Sequence, residues 1–301
     1  MKSFTDRVAV ITGAASGLGL ELARGARRRG MKLVLADVEE KALEAAHQEL
    51  FEAGAEVLAL PTDVSRPEAV RALADAAEAR FGPVHLLFNN AGVGGGGLVW
   101  ESSLSDWQWV LGVNLWGVIH GVQSFVPRML ATAKSQPNYE GHIVNTASMA
   151  GLVNMPNMGI YNVSKHAVVA LSETLYQDLK IVDAPIGASV LCPYFVPTGI
   201  HKSERNRPAA LANPAATASQ IVAQEFAERA VTSGRVSAAE VAEFTFDAVL
   251  EGRFYIASHP KALGGVRERA EDIVALGNPR DPFAARPEVG AALRAAVRGV
   301  R

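Results

Sequence analysis

Short, continuous runs of apolar residues alternate along the chain with longer segments in which apolar residues recur every three or four positions. The short runs predict strands. They cover residues 7–12, 32–37, 55–60, 84–90, 141–147, 186–192 and 254–258. The longer segments predict helices over 17–29 and 39–53, up to Arg80, between 103 and 131, over 159–181 and from Ser237.

The order of these elements indicates the fold class. A strand without polar alternation is buried on both faces, and parallel strands need a crossover helix between them. The pattern therefore predicts an α/β fold with a doubly wound parallel sheet, in a single domain over 1–301. After Cys192 the pattern loosens into a Pro-, Ala- and Ser-rich region, which predicts a long loop at 194–236, and a helical tail is predicted at 280–301.

Charge and composition narrow the range of partners. The chain has 29 basic and 31 acidic residues, a balance that does not favour nucleic acid or an anionic membrane surface as a partner. The uncharged runs 107–127 and 143–164 contain many polar residues, which favours buried segments over membrane spans. We therefore expect a small-molecule partner.

Cysteine and histidine usage bears on location and metal binding. Cys192 is the single cysteine, so an intrachain disulfide is impossible, and we interpret it as a buried apolar residue. The chain opens with MKSFTDR and shows no apolar signal stretch there, so we expect a cytoplasmic location. The seven histidines show no His-x-x-x-His spacing, and no metal site is expected.

A glycine-rich turn follows the first predicted strand. Residues 12–19 read TGAASGLG and lead directly into a helix. Glycines allow a tight turn and a close approach of the backbone, and a helix N-terminus offers N–H groups and a positive dipole to a pyrophosphate. The turn therefore predicts a dinucleotide site, although its Gly-x-x-x-Gly-x-Gly spacing differs from the more common fingerprint.

Four further features, in order along the chain, agree with this turn. They are Asn89-Asn90-Ala91-Gly92, Asn114, Ser148 and Tyr161-x-x-x-Lys165. Together with the glycine turn they resemble the motifs of the short-chain dehydrogenase/reductase family over about residues 5–200. The resemblance implies a Rossmann-type sheet of seven strands in the order 3-2-1-4-5-6-7. It also implies a homotetramer or homodimer, assembled through the helices ending near Leu130 and Ile181.

The family's functional residues can be placed on this chain by resemblance. Catalytic roles fall to Asn114, Ser148, Tyr161 and Lys165. Cofactor contacts fall to Gly13, Ser16, Gly17, Leu18, Gly19, Asp37, Asp63, Val64, Asn90, Gly92, Tyr161, Lys165, Pro193, Val196 and Thr198. The resemblance also implies that Ser148 binds the substrate oxygen and that Asn114 holds a water connecting Lys165 to solvent. One departure stands out, because the family usually has Gly after this proline and the chain has Tyr194.

Tyr161 is the candidate proton carrier. A phenol can take the proton of an alcohol or give one to a ketone oxygen, and a nearby lysine cation favours the phenolate. Residues four apart share a helix face, which places Lys165 beside Tyr161. Tyr176 and Lys180 have the same spacing but lie about 22 Å further along the helix, at about 1.5 Å per residue. We therefore interpret that second pair as structural.

The end of the second strand bears on cofactor choice. Asp37 can accept hydrogen bonds from the adenine ribose, and it would repel a 2′-phosphate by about 4 kcal/mol at ~4 Å and an effective dielectric constant of about 20. Its neighbours Val38, Glu39 and Glu40 supply no cation. The sequence therefore predicts NAD, with NADP less favoured. The basic residues His201, Lys202, Arg205 and Arg207 are interpreted as a solvated loop face.

The activity expected from these features is hydride transfer between NAD and a secondary alcohol or ketone. Apolar segments at 94–100, 149–160 and 194–236 predict a pocket for an apolar or aromatic substrate. Its expected wall residues are Leu98, Val99, Trp100, Leu152, Val153, Met155, Met158, Tyr194, Phe195 and Val196. Two alternatives remain: a non-catalytic dinucleotide-binding regulator, and an epimerase or lyase that uses NAD transiently.

Overall fold

The computed structural model describes residues 1–299. Its strands are β1 (Val8–Thr12), β2 (Lys32–Asp37), β3 (Val57–Pro61), β4 (Val84–Asn89), β5 (Gly141–Thr146), β6 (Ile186–Cys192) and β7 (Tyr255–Ala257). Its α-helices are α1 (Gly17–Arg28), α2 (Glu40–Glu52), α3 (Pro67–Phe81), α4 (Leu104–Leu111), α5 (Gly117–Ser135), α6 (Gly159–Ile181), α7 (Ala218–Thr232), α8 (Ala238–Glu251), α9 (Gly264–Val274) and α10 (Pro287–Gly299).

All seven strands pair in parallel in one sheet, in the order β3-β2-β1-β4-β5-β6-β7. The strand order reverses between β1 and β4, which pair with each other although two strands and three helices separate them in sequence. In open sheets of this kind, ligands bind beyond the carboxyl ends of the strands at the reversal point. The predicted fold class and strand order are confirmed.

Helices cover both faces of the sheet because alternate strand residues point to opposite sides. Ala9 and Ile11 of β1 share a core with residues of α1, α2 and α8, including Leu22, Leu43 and Phe246. The intervening residues Val8 and Val10 pack with α3, α5 and α6 on the other face, where Leu73, Phe125 and Leu179 are buried. This two-sided burial explains why the strands are continuously apolar in sequence.

One π-helical turn, Gly112–Trp116, joins α4 and α5 into a single helical run, Leu104–Ser135. Within residues 1–299 this is the helix whose length and hydropathy would suffice to cross a membrane, and half of its most apolar window is buried in the fold. Phe125 and Met129 of α5 pack in the core beside the sheet, as in a core helix. The turn is also where Asn114 lies, and π turns often occur at functional sites.

The prediction of a continuous loop over 194–236 is wrong, because residues 218–232 form α7. Its start is specified locally: the Thr217 side chain accepts from Gln220 N, and the Gln220 side chain accepts from Thr217 N. This capping box is a helix signal that the weak apolar pattern concealed. The predicted tail at 280–301 corresponds to α10, which packs on α7, while residues 300–301 of that prediction lie outside the described residues.

Candidate active site

An open cleft of about 1630 Å³ lies beyond the carboxyl ends of the strands. Residues that directly follow β1, β2, β4, β5 and β6 line it together, which is the arrangement a parallel sheet produces. The predicted site residues that line the cleft are Gly13, Ser16, Gly17, Leu18, Gly19, Asp37, Asp63, Val64, Asn90, Gly92, Ser148, Tyr161, Lys165, Pro193, Val196 and Thr198. Asn114 is fully buried behind this lining.

The glycine turn has a shape that side chains could not occupy. Gly13 and Gly17 have φ of +65° and +54°, a region that favours glycine. A Cβ on Gly19 would lie 1.9 Å from the carbonyl oxygen of Gly13. The first turn of α1 can therefore pack against the glycine turn only if residue 19 has no side chain. The Ser16 side chain makes no capping hydrogen bond, and the first turn of α1 carries no acidic residue. The turn and the positive end of α1 therefore suit a pyrophosphate.

Asp37 is fixed at the end of β2 by two backbone donors. Its carboxylate oxygens accept from Ala15 N and from Glu39 N, both at 3.0 Å. The side chain therefore ties the glycine turn to the end of β2, and its charge faces the cleft. This is the wall that would meet the ribose of a bound nucleotide.

A cation from a distant part of the sequence lies close to this wall. The Arg205 guanidinium donates to Glu39 Oε1 at 2.6 Å, and Asn206 Nδ2 donates to the same oxygen at 2.9 Å. The sequence neighbours of Asp37 supply no cation, as predicted, and Arg205 reaches Glu39 from a distant part of the chain. The hydrogen bond from Arg205 lowers the pKa of Glu39, and the ion pair offsets the charge of Arg205.

The strap formed by residues 198–206 contacts three walls of the cleft. Thr198 Cβ lies 3.2 Å from the position that a Cβ on Gly17 would occupy. Ser203 Oγ accepts from Gly94 N at 2.9 Å, and Arg205 holds Glu39 at the far end. The strap therefore spans from the glycine turn to the end of β2.

Two further predicted cofactor residues, Asn90 and Asp63, are held by hydrogen bonds within the protein. Asn90 Nδ2 donates to the carbonyl oxygen of Thr12 at 3.0 Å, and its Oδ1 accepts from Thr146 Oγ1 at 3.3 Å, so it joins β1, β4 and β5. Asp63 Oδ1 accepts from Ser65 N at 3.0 Å and from Ser65 Oγ at 2.7 Å. Asp63 thus lines the cleft as part of a local turn, and its contact with the cofactor stays a prediction.

Ser148, Tyr161 and Lys165 meet at the centre of the cleft. Burial raises the pKa of Tyr161 to about 12, and a hydrogen bond with Ser148 opposes that shift. Burial lowers the pKa of Lys165 to about 8, and its Nζ donates to the carbonyl oxygen of Thr146 at 2.9 Å. Lys165 Nζ lies 5.6 Å from the centroid of the Tyr161 ring. The sequence predicts that Lys165 lowers the pKa of Tyr161, whereas in the structure burial raises that pKa.

Asn114 uses its amide group inside the protein. Its Oδ1 accepts from Val93 N at 2.8 Å, and its Nδ2 donates to the carbonyl oxygen of Val93 at 3.0 Å and to Ser164 Oγ at 3.1 Å. A Cβ on Gly92 would lie 3.4 Å from Asn114 Oδ1 and 3.5 Å from Lys165 Nζ. Glycine at position 92 therefore keeps the space between Asn114 and Lys165 free of side-chain atoms.

A buried ionic cluster at the start of α4 was missed by the sequence reading. Arg207 Nη2 lies 2.7 Å from Asp106 Oδ1, and both side chains are 7% exposed. Asn213 Nδ2 and Gln220 Nε2 donate to Asp106 at 2.7 and 2.9 Å. The interpretation of Arg207 as part of a solvated loop face is therefore wrong. The Ser103-x-x-Asp106 capping signal was visible in sequence, but its long-range partners were not.

The apolar wall of the cleft includes six of the ten residues that the sequence predicts. Val153, Met155, Met158, Tyr194, Phe195 and Val196 line it as expected. Val99 and Trp100 lie on the surface instead, 50% and 71% exposed. Leu98 and Leu152 are also absent from the lining. Among residues 1–299, no group of three or more His, Cys, Asp or Glu side chains could hold a metal ion.

Comparison with known proteins identifies the family. A family model described as short chain dehydrogenase matches residues 7–209, more than half of the chain. The chain belongs to the short-chain dehydrogenase/reductase family. It is therefore an oxidoreductase of this family, and the family predicted from the motifs is confirmed.

Individual members of the short-chain dehydrogenase/reductase family match nearly the whole chain. A crystal structure of one from Burkholderia phymatum, in complex with NAD, is 56% identical, covers 94% of this chain and 100% of its own, and has a TM-score of 0.91. The CLA biosynthesis dehydrogenase/reductase of Lactiplantibacillus plantarum is 36% identical over 93% of this chain and 97% of its own length. The C alpha-dehydrogenase of a Sphingobium species is 33% identical over 97% of this chain and 93% of its own.

Proposed function

We propose that this protein is an NAD-dependent dehydrogenase/reductase that interconverts a secondary alcohol and its ketone, with an apolar or aromatic substrate. The observation that carries the proposal is the meeting of Ser148, Tyr161 and Lys165 in the cleft that begins at the glycine turn. Ser148 can bind the substrate oxygen, Tyr161 can carry its proton, and Lys165 supplies a cation. The similar protein from Burkholderia phymatum, solved with NAD, supports the choice of cofactor.

The residues of the cleft fit a dinucleotide. The bare backbone of the glycine turn and the N-terminus of α1 would hold the pyrophosphate, and Asp37 would hold the adenine ribose. NAD supplies a nicotinamide ring that accepts a hydride from an alcohol or, when reduced, gives one to a ketone. The remaining chemistry, which is binding the oxygen and moving its proton, belongs to side chains of this protein.

Ser148 is oriented to bind the substrate oxygen. Its Oγ accepts from Ala150 N at 3.1 Å and donates to the carbonyl oxygen of Pro193 at 3.3 Å. The latter bond is long, so the hydroxyl hydrogen can turn to a substrate oxygen at little cost. Ser148 and Tyr161 would then both hydrogen-bond that oxygen, with Tyr161 taking its proton during oxidation and returning it during reduction.

Lys165 assists Tyr161 as a neighbouring cation. Its ammonium group is buried and anchored to the carbonyl oxygen of Thr146, which keeps it on the side of the Tyr161 ring. A positive charge there favours the phenolate once Tyr161 has given up its proton. The same ammonium group would hydrogen-bond the nicotinamide ribose.

Asp37 favours NAD over NADP. Its carboxylate is held in place by Ala15 and Glu39, so it cannot easily turn away from a 2′-phosphate. Arg205, a cation close to this wall, is engaged by Glu39 at 2.6 Å. Repulsion between the Asp37 carboxylate and a 2′-phosphate at ~4 Å would cost about 4 kcal/mol at an effective dielectric constant of about 20. We therefore expect catalytic efficiency with NAD to exceed that with NADP.

Location and assembly complete the proposal. We propose a cytoplasmic enzyme that forms a homotetramer or homodimer and binds neither nucleic acid nor membrane. The C-terminal end of α6 supports the assembly, since Ile181 is 80% and Val182 is 60% exposed. Apolar side chains exposed side by side are common at protein interfaces.

The decisive experiment is a screen of secondary alcohols and ketones with NAD(H) and NADP(H), followed by absorbance of the reduced nicotinamide. Stoichiometric formation of NADH with at least one alcohol supports the proposal. Tight NAD binding without turnover across the panel would indicate a regulator. Conversion of a substrate without net NADH would indicate an epimerase or lyase. Equal efficiency with NAD and NADP would contradict the role given to Asp37.

A further inference from the structure

Tyr194 follows β6 at the position where the family pattern usually has glycine, and both sides of its peptide bond are held. The carbonyl oxygen of Pro193 accepts from Met149 N at 2.8 Å and from Ser148 Oγ at 3.3 Å. Tyr194 N donates to Ser258 Oγ at 2.9 Å. The backbone of this residue is therefore fixed between the Ser148 loop and the end of β7.

The ring of Tyr194 is braced as well. It lies 4.3 Å from the Phe195 ring at 45°, and 5.7 Å from the His259 ring in an edge-on arrangement at 68°. Ser258, only 3% exposed, is 2.8 Å from His259 Nδ1 through its Oγ, so one hydroxyl links the tyrosine backbone to the histidine behind the ring. This environment limits the rotation of the Tyr194 ring.

The braced ring belongs to the wall of the cleft. Tyr194 and Phe195 line it, whereas Ser258 and His259 lie behind it. Val153 and Met155 supply further apolar surface to the same cleft. A substrate oxygen bound to Ser148 would place the substituents of its carbinol carbon near the residue that follows Pro193, because Ser148 and Pro193 are themselves in contact.

We infer that Tyr194 is a specificity-determining residue whose ring packs against an aryl group on the carbinol carbon of the substrate. The inference rests on the proposed function and specifies its substrate class as aryl carbinols and aryl ketones. Aromatic rings attract one another beyond their apolar contact in offset and edge-on arrangements, and a ring held in place loses little freedom on binding. A saturated ring of similar size would fill the same space without that added attraction.

The test compares 1-phenylethanol with 1-cyclohexylethanol, two alcohols of similar shape that differ in aromaticity. The wild-type protein should have the higher kcat/KM with the phenyl alcohol. Tyr194→Leu should lower the phenyl-to-cyclohexyl ratio about threefold to tenfold, while Tyr194→Phe keeps it. Ser258→Ala removes the hydroxyl that holds Tyr194 N and His259, and it should lower the same ratio by a smaller factor. The KM for NAD should stay near the wild-type value in all three variants.

Tyr255→Leu serves as the matched control. Tyr255 lies in β7, is 53% exposed, and donates to Glu173 at 2.6 Å outside the cleft. Its replacement should leave the ratio unchanged.

The outcomes separate this inference from the proposed function. An unchanged ratio in Tyr194→Leu, or a wild-type protein that turns over only the cyclohexyl alcohol, overturns the role of Tyr194 and leaves the proposed function standing. No NADH formation from any alcohol of the wider panel refutes both. If Tyr194→Leu does not fold, an unchanged ratio in Ser258→Ala overturns the inference instead.

Discussion

Burial disfavours the charged form of both titratable groups at the centre of the cleft. It raises the pKa of Tyr161 to about 12 and lowers the pKa of Lys165 to about 8. Each shift has the sign expected when a side chain is removed from water. Tyr161 is therefore protonated at neutral pH. In the proposed mechanism this form serves ketone reduction, and alcohol oxidation requires the loss of its proton.

The two directions of the reaction should consequently respond to pH in opposite ways. Since alcohol oxidation needs the deprotonated form of Tyr161, its kcat/KM should rise from pH 7 to pH 9, by up to about tenfold per unit. Ketone reduction needs the protonated form and should not rise over the same range. Initial rates in both directions across this range provide the measurement. Oxidation that is independent of pH would contradict Tyr161 as the base.

A second tyrosine–lysine pair on α6 offers a control for the first. Tyr161→Phe keeps the ring and deletes the hydroxyl, so turnover should fall by about 10²-fold or more while NAD binding persists. Tyr176 packs against Phe254 at 5.1 Å and does not line the cleft, so Tyr176→Phe should leave turnover nearly unchanged. Steady-state rates and NAD titrations decide between them. An inactive Tyr176→Phe, or an active Tyr161→Phe, would show that the catalytic assignment is wrong.

The role proposed for Lys165 comes at a cost in stability. Because its pKa is depressed in the folded state, the protonated side chain opposes folding at pH 7, and the penalty fades as pH rises above about 8. Lys165→Met should therefore slow turnover and weaken NAD binding, yet melt at the same temperature as the wild type or a few degrees higher. Calorimetry and NAD titration test this pair of effects. A marked loss of thermal stability would indicate that Lys165 is primarily structural.

At the scale of elements, the start of α4 holds the segment that covers the cleft. Asp106 caps its own helix through Ser103 and also receives Arg207, Asn213 and Gln220 from that segment. Burial opposes the charge of Asp106, but hydrogen bonds from Ser103 and then Arg207 and Asn213 lower its pKa on balance. One carboxylate thus fixes residues 207–220 relative to the helix that leads to Asn114.

Removing that charge should loosen the covering segment. Asp106→Asn keeps the shape but leaves Arg207 with a weaker partner, which should destabilise the protein by about 3 kcal/mol. We also expect a higher KM for the alcohol and faster proteolysis within 207–217. Glu204→Gln is the control, because Glu204 pairs with the same arginine at 3.2 Å but is 69% exposed. Glu204→Gln should lower the free energy of unfolding by less than about 1 kcal/mol. Equal effects of both changes would argue against a special role for Asp106.

These elements differ in how far the sequence alone predicted them. β1 to β6 are buried on both faces or carry long apolar runs, so local composition identifies them without knowledge of their partners. By contrast, α7 packs only a few buried residues, such as Val222 and Val231, and its apolar pattern is correspondingly weak. The Asp106 cluster depends on residues about a hundred positions apart, and nothing in the local sequence specifies such a pairing.

At the scale of the whole molecule, one half of the cleft could be predicted from the sequence and the other half could not. The half along the sheet edge follows from strand ends and short motifs, which is why nearly all predicted site residues line it. The opposite half consists of the strap, α7 and α10, whose Val289 and Leu293 also line the cleft. Its volume of about 1630 Å³ exceeds the range of about 300–1,000 Å³ for single small-ligand pockets, as two ligands bound together would require.

The ion pair between Glu39 and Arg205 holds the strap to the end of β2, where we propose that the nucleotide binds, and we expect turnover to depend on ionic strength for this reason. Their side chains are 28% and 40% exposed, so dissolved salt can screen their attraction. We expect a cofactor bound beneath the strap to leave only after this pair separates. The dissociation rate of NADH should therefore rise with sodium chloride concentration, as stopped-flow fluorescence can measure. In Glu39→Gln the rate should be high at low salt and respond little to added salt. If NADH release limits the catalytic cycle, the wild-type enzyme will turn over faster at high sodium chloride concentration than in dilute buffer.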